Sequence, residues 1–152
     1  MEAPANNPFQ TPEADLVNTP DATPPLYSLP AVGLATFFGT PLAGAYVLAH
    51  NLRQYGLHKE LRQTWWLAIG IFVAITALGF LLPENVPGIA FTVVQVIAMN
   101  QYAKSVLGSR LQQHAAAQGP LYSNWRAVGI GLLFILAILV VVVPLVMVFD
   151  LA

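Results

Sequence analysis

Three histidines, His50, His58 and His114, are the residues of this chain best suited by type to bind a metal or relay a proton. They fall in two polar connections that also hold every basic residue: Arg53, Lys59 and Arg62 in one, and Lys104, Arg110 and Arg126 around the other. A site shared between the connections is one reading. Their spacing fits no metal motif, and histidines facing solvent or lipid headgroups are the ordinary alternative. Nucleophilic chemistry has less to work with. Cysteine is absent, Ser28 and Ser123 stand in no nucleophile-elbow pattern, and Glu60 is the sole carboxylate beside the basic connections. No catalytic residue, metal ligand or cofactor site is assigned, and the expectation is a protein that is not an enzyme.

The remaining polar and small residues lie inside apolar runs. Thr40 and Pro41 interrupt the run over 31–49. Proline removes a backbone hydrogen bond there, so Thr36, Thr40 or a neighbouring helix must satisfy the freed carbonyl. Such points bind substrate in some transporters, although a plain kink is the commoner use. Ala31, Ala35, Gly39 and Ala43 recur every four residues, with Thr40 and Gly44 as a second small pair. A face of this kind lets helix backbones approach closely in lipid, either within the chain or between two copies. Gln95 is the one long polar side chain near the middle of an apolar segment, with Thr76 and Thr92 as expected partners for an interhelical hydrogen bond. Gly39, Thr40, Pro41, Gly44 and Gln95 are therefore the candidate packing or binding residues.

These residues must be positioned by elements that live in lipid. Hydrophobic residues make up 57% of the 152 positions and charged residues 9%, too few polar groups to coat a water-soluble surface. The lipid bilayer is thus the first expected partner. A net charge of -1, without a basic stripe interleaved with aromatics, gives no reason to expect nucleic acid. The predicted fold class is all-α: an integral membrane four-helix bundle of two helical hairpins, preceded by a disordered Pro-rich tail. The tail is residues 1–30, with seven of the twelve prolines, four acidic residues and no Lys or Arg. The membrane domain is 31–152, with spans at about 31–49, 65–82, 86–106 and 127–149. Trp65 and Trp66 suit a headgroup interface, and 83–88 is rich in turn formers. The apolar part of the third span ends at Met99, so the segment either crosses with Lys104 snorkelling or is tilted or re-entrant. An interfacial helical extension and a loop broken at Gly119-Pro120 follow, and Pro144 should kink the last span or mark its final turn.

In a four-span chain the two basic connections lie on one side, which the positive-inside rule makes the cytoplasm. The tail, the turn near Pro83 and Asp150 then face outward, with both termini extracytoplasmic. Ala49-His50-Asn51 and Ala98-Met99-Asn100, each followed by a Tyr and a basic connection, suggest one hairpin used twice.

Asn7-Pro8-Phe9, followed by Pro12, could present an exposed Phe as a peptide ligand. Together with Phe38-Gly39-Thr40-Pro41-Leu42-Ala43, His50-Asn51-Leu52-Arg53 and Ser123-Asn124-Trp125-Arg126, this tail resembles a family of small multi-pass bacterial membrane proteins. Their tails read Asn-Pro-Phe/Tyr-x-x-Pro. The resemblance implies a bacterial inner membrane and no assigned activity. The expected role is non-enzymatic, through protein–protein interaction as an accessory, assembly or protective subunit, with a second copy or another membrane protein as partner. The alternative is a small transporter or channel for a neutral or weakly polar solute, built around Thr40, Pro41 and Gln95.

Overall fold

The computed structural model describes residues 23–83 and 86–150, and the tail motif Asn7-Pro8-Phe9 lies outside them. Among the described residues the chain is all-helical, with five helices and no strand: α1 (Leu29–Phe38), α2 (Pro41–Gln54), α3 (His58–Leu81), α4 (Gly88–Ala116) and α5 (Asn124–Asp150).

The first apolar run is not one kinked span, which corrects the expectation for 31–49. Ser28 caps α1 by accepting from the Ala31 N–H at 3.3 Å, and Pro30 supplies a preset φ in the first turn. The helix stops at Phe38 because Thr40 precedes a proline and is held extended, at φ -148° and ψ 174°. Pro41 then opens α2 as its first residue. Between them the chain reverses. Thr36 and Val32 of α1 face Gly44 of α2, where a Cβ would collide with the Thr36 hydroxyl. Farther out, the Asn51 side chain near the end of α2 bonds the backbone of Tyr27, just ahead of α1. The two helices are therefore an antiparallel hairpin, about 15 Å and 21 Å long at ~1.5 Å per residue.

The small-residue face packs inside the chain. Gly39, at the hairpin tip, meets Gly131 of α5: a Cβ at Gly39 would stand 2.7 Å from the Gly131 carbonyl oxygen, and one at Gly131 would stand 2.9 Å from that of Ala35. Gly33 faces Asn100 of α4. The hairpin thus lies at the centre, with α1 against α4 and α5 and α2 against α3.

The long helices run past it. α3 and α4 are antiparallel, since the Tyr102 hydroxyl of α4 reaches the Glu60 carbonyl at the start of α3, at 3.4 Å. α4 is a single helix that absorbs both the predicted span 86–106 and the extension after it. α5 continues through Pro144. Two of the helices, α3 and α5, are long and apolar enough to cross a membrane.

Burial divides the molecule in two. Ala31, Val32, Ala35, Val47, Leu48, Leu52, Met99, Ala103, Leu107 and Ala127 form a core around the hairpin. In α3 nothing beyond Ala68 is buried, in α4 nothing before Met99, and in α5 nothing after Gly131 among the residues whose burial is described. The core therefore occupies one end, the base, while the other end is three apolar helices with exposed flanks. The two halves of the chain also differ, a short folded-back hairpin in one and a 29-residue helix in the other, so the expected duplication is not present in the fold.

Candidate functional site

The base is closed by a strap that the sequence places in the tail. Leu26 donates its N–H to the Pro120 carbonyl at 3.1 Å and accepts from the Tyr122 N–H at 2.8 Å, joining the strap to the α4–α5 connection. Tyr27 is fixed to α2: its N–H donates to Asn51 Oδ1 at 2.8 Å, and its carbonyl accepts from Asn51 Nδ2 at 2.7 Å. Ser28 donates from its hydroxyl to Asn124 Oδ1 at 3.0 Å, which ties the start of α1 to the start of α5. Leu26 and Tyr27 are both 2% exposed, so 23–30 belongs to the fold rather than to a loose tail. The first described residues therefore lie at the same end as the α2–α3 and α4–α5 connections.

These contacts assemble rings around a guanidinium. The Tyr27 and Tyr122 rings lie 4.7 Å apart, and His50 stands edge-on to both at 5.4 Å. The Arg126 guanidinium sits 4.1 Å from the centre of the Tyr122 ring and 5.9 Å from that of Tyr27. Each such cation–π contact contributes roughly 0.5–1 kcal/mol where exposed. Burial pushes the Tyr27 phenol above its ordinary pKa, against the opposing pull of the Arg126 charge. A second stack, Arg110 over Tyr55 at 5.3 Å, lies on the α2–α4 side.

The histidines serve separate structural bonds. His50 Nε2 lies 3.2 Å from the Pro25 carbonyl and His114 Nε2 lies 3.0 Å from that of Pro120, so each donates from that nitrogen. His58 is exposed at the start of α3. Among the described residues no three His, Cys, Asp or Glu are grouped to hold a metal.

Of the residues singled out by sequence, Gly39, Thr40, Pro41 and Gly44 come together at and just below the hairpin tip. Gln95 stands apart, half-exposed on α4. Its expected partners are turned away, since Thr76 bonds the Phe72 carbonyl at 2.8 Å and Thr92 that of Gly88 at 3.5 Å, both in their own helices. Thr40 is 8% exposed and its buried hydroxyl has no hydrogen-bond partner among the described residues. The base cluster of Tyr27, Asn51, Tyr122 and Arg126 was not foreseen. Its signal was a Tyr close behind Pro24-Pro25 and an Asn just past the polar end of the first apolar run.

A stacked guanidinium keeps its in-plane N–H donors free to meet a planar or tetrahedral anion. Among the described residues, fold and site together define an all-helical protein with two helices apolar enough to cross a membrane and a ring-lined cation at the base. Protein-family models, curated proteins and solved structures give no match to this chain.

Proposed function

We propose that the chain is a multi-pass protein of a bacterial inner membrane that acts without catalysis, by holding a partner within the bilayer. α3, α4 and α5 cross, and the α1–α2 hairpin enters from the base and turns back near the midplane. The hairpin's ~15 Å reach is half of a ~30 Å hydrocarbon core. The observation that carries the reading is the division of the surface. Beyond the hairpin tip α5 exposes Leu132, Leu133, Leu136, Val140, Val141, Met147 and Val148, and α5 makes no close backbone approach to α3 or α4. Helices apart in lipid leave room for a partner helix, the role of an accessory or assembly subunit.

All six basic residues gather toward the base, with Glu60 as the one acid between Thr23 and Pro83, and the positive-inside rule makes the base cytoplasmic. This places the start of α1 inside and the end of α5 outside. A transporter for a neutral or weakly polar solute is the second reading, favoured by the unpartnered Thr40 hydroxyl at the broken point of the hairpin.

Single cysteines test the topology in a chain that has none. With a membrane-impermeant thiol reagent, cysteines at Thr23, Gln54 and Gln113 label only after lysis, whereas cysteines at Val86 and Asp150 label in intact cells. Labelling of Thr23 and Gln54 from opposite sides would mean that the hairpin crosses, and the three-crossing reading would fall. Mild-detergent affinity purification tests the role: a stoichiometric membrane partner is expected, and recovery of the chain alone counts against it.

A further inference from the structure

The first turn of α1 and the middle of α4 enclose a polar pocket. Leu29 and Pro30 form one wall and Asn100, Gln101 and Lys104 the other, around a volume of about 380 Å³. Asn100 is seated by packing: a Cβ on Gly33 of α1 would stand 3.0 Å from its Nδ2, so the bare glycine makes room for this side chain. Gln101 and Lys104 are exposed, and no residue lining the pocket is acidic. Glu60 lies across α4 from it, since its carbonyl meets the hydroxyl of Tyr102, about 160° around the helix from Lys104. The positive end of the α1 dipole adds to the charge of Lys104.

Toward the hairpin tip the same surface turns apolar. At about 100° per residue, Val93, Val94, Ile97, Gln101 and Lys104 fall within a face of α4 about 100° wide, and the first three are exposed. Phe37, exposed on α1, lies within about 20° of Pro30 around its own helix. α1 rises from the base as α4 descends to it, so Phe37 and Val93 both stand on the tip side of the pocket.

From this arrangement we propose that the pocket binds a glycerophosphate group, the headgroup of a phosphatidylglycerol-like lipid, with its phosphodiester on Lys104 and its hydroxyls on the Asn100 and Gln101 amides. The acyl chains lie along Ile97, Val94, Val93 and Phe37. The proposal rests on the membrane reading above. Depth agrees with it: Leu29 to Phe38 is about 14 Å, against about 15 Å for one leaflet's hydrocarbon, so a tip at the midplane sets the pocket at the headgroup level. Charge and hydrogen bonding decide the lipid class. An ammonium favours anionic over zwitterionic headgroups and meets a phosphate as a point charge. Carboxamides both donate and accept, which suits a diol, whereas a trimethylammonium offers them no hydrogen bond.

Native mass spectrometry of the full chain in mild detergent, with pairs of lipids of identical acyl chains in equal amounts, reads the site. The wild type should retain phosphatidylglycerol over phosphatidylcholine by about fivefold, the preference expected of one cation near the surface. It should also retain phosphatidylglycerol over phosphatidylmethanol, which has the charge without the hydroxyls, by roughly threefold, as for one neutral hydrogen bond. Lys104→Gln should bring the first ratio close to one. Gln101→Leu should lower the second and spare the first, and Arg62→Ala, outside the pocket, should change neither. Free glycerol phosphate should not displace the lipid. A first ratio that survives Lys104→Gln, or that falls as far in Arg62→Ala, overturns the phosphate assignment. A second ratio that Gln101→Leu leaves whole overturns the part given to the amides. Displacement by glycerol phosphate overturns the lipid in favour of a free phosphate ester. Should Lys104→Gln melt early, Lys104→Arg, which keeps the charge, must preserve the first ratio or the proposal fails. Release of the chain from membranes by carbonate wash would sink the membrane reading itself, whereas retention without lipid preference sinks only the lipid site.

Discussion

Replacing Asn51 by Leu should unlatch the base. Asn51 is fully buried, and its amide makes both hydrogen bonds to Tyr27, at 2.8 and 2.7 Å, across 24 residues of sequence. Leucine has the branched shape and the heavy-atom count of asparagine, so the loss of polarity outweighs the change in packing. What changes is that the Tyr27 N–H and carbonyl lose their partners inside the protein. An orphaned buried polar group costs about 1–3 kcal/mol, so the pair costs roughly 2–6 kcal/mol. At ~2–4 °C per kcal/mol for a chain of this size, the melting temperature should fall by about 4–24 °C. Circular dichroism of the purified protein in detergent measures it. Asn51→Asp separates the two bonds, because it keeps the acceptor for the Tyr27 N–H and loses the donor. Its buried carboxylate would face the Tyr27 carbonyl, which favours the protonated form and raises the folded-state pKa above the unfolded value. The contribution is then fully present below the ordinary carboxylate pKa of about 4 and is lost as pH rises through the folded pKa. A melting temperature for Asn51→Leu within about 2 °C of wild type would refute the reasoning. So would an Asn51→Asp variant whose stability, relative to wild type, ignores pH.

Gly44→Val should destabilise the hairpin by about 1–3 kcal/mol through collision with Thr36, whereas Gly70→Ala, with open space around it, should be neutral or mildly stabilising; paired thermal melts compare them. Thr40→Val removes a buried hydroxyl that has no partner and should stabilise the fold by about 1 kcal/mol; a loss of stability, or of solute flux in reconstituted vesicles, would shift support to the transporter reading. Tyr27 keeps its proton beyond the ordinary phenol value of 10.0, so its contribution is complete below pH 10 and is lost as pH rises through the raised folded value; Tyr27→Phe should abolish that alkaline transition, and a phenolate titration with every tyrosine ionising at or below the ordinary value would contradict the burial argument.

The cationic base was legible because charge needs no fold to be counted: six basic residues fall in two stretches, and the structure gathers both at one end. The ring-and-guanidinium cluster at the base was only partly legible, since Arg126 could be seen as basic but not as the neighbour of Tyr27, 99 positions earlier. Gln95 shows the opposite failure, for a polar residue in an apolar run suggests an interhelical bond whichever way its neighbours point, and Thr76 and Thr92 spend their hydroxyls on their own helices.

By itself the sequence determined that the chain is helical and that α3 and α5 are long and apolar enough to cross a membrane, because these follow from local composition and hydrophobic period. It also marked the breaks at Pro41 and Pro83, where proline's fixed ring forbids an ordinary helix interior. Whether the break at Pro41 is a kink or a reversal was decided only by the tertiary structure. The extended Thr40 ahead of a proline is compatible with either outcome. Contacts far apart in the chain select the reversal: Asn51 on Tyr27, Leu26 between Pro120 and Tyr122, and Gly39 against Gly131. With that choice the start of α1 moves to the same end as the basic connections, since backbone hydrogen bonds at about 3 Å hold it there.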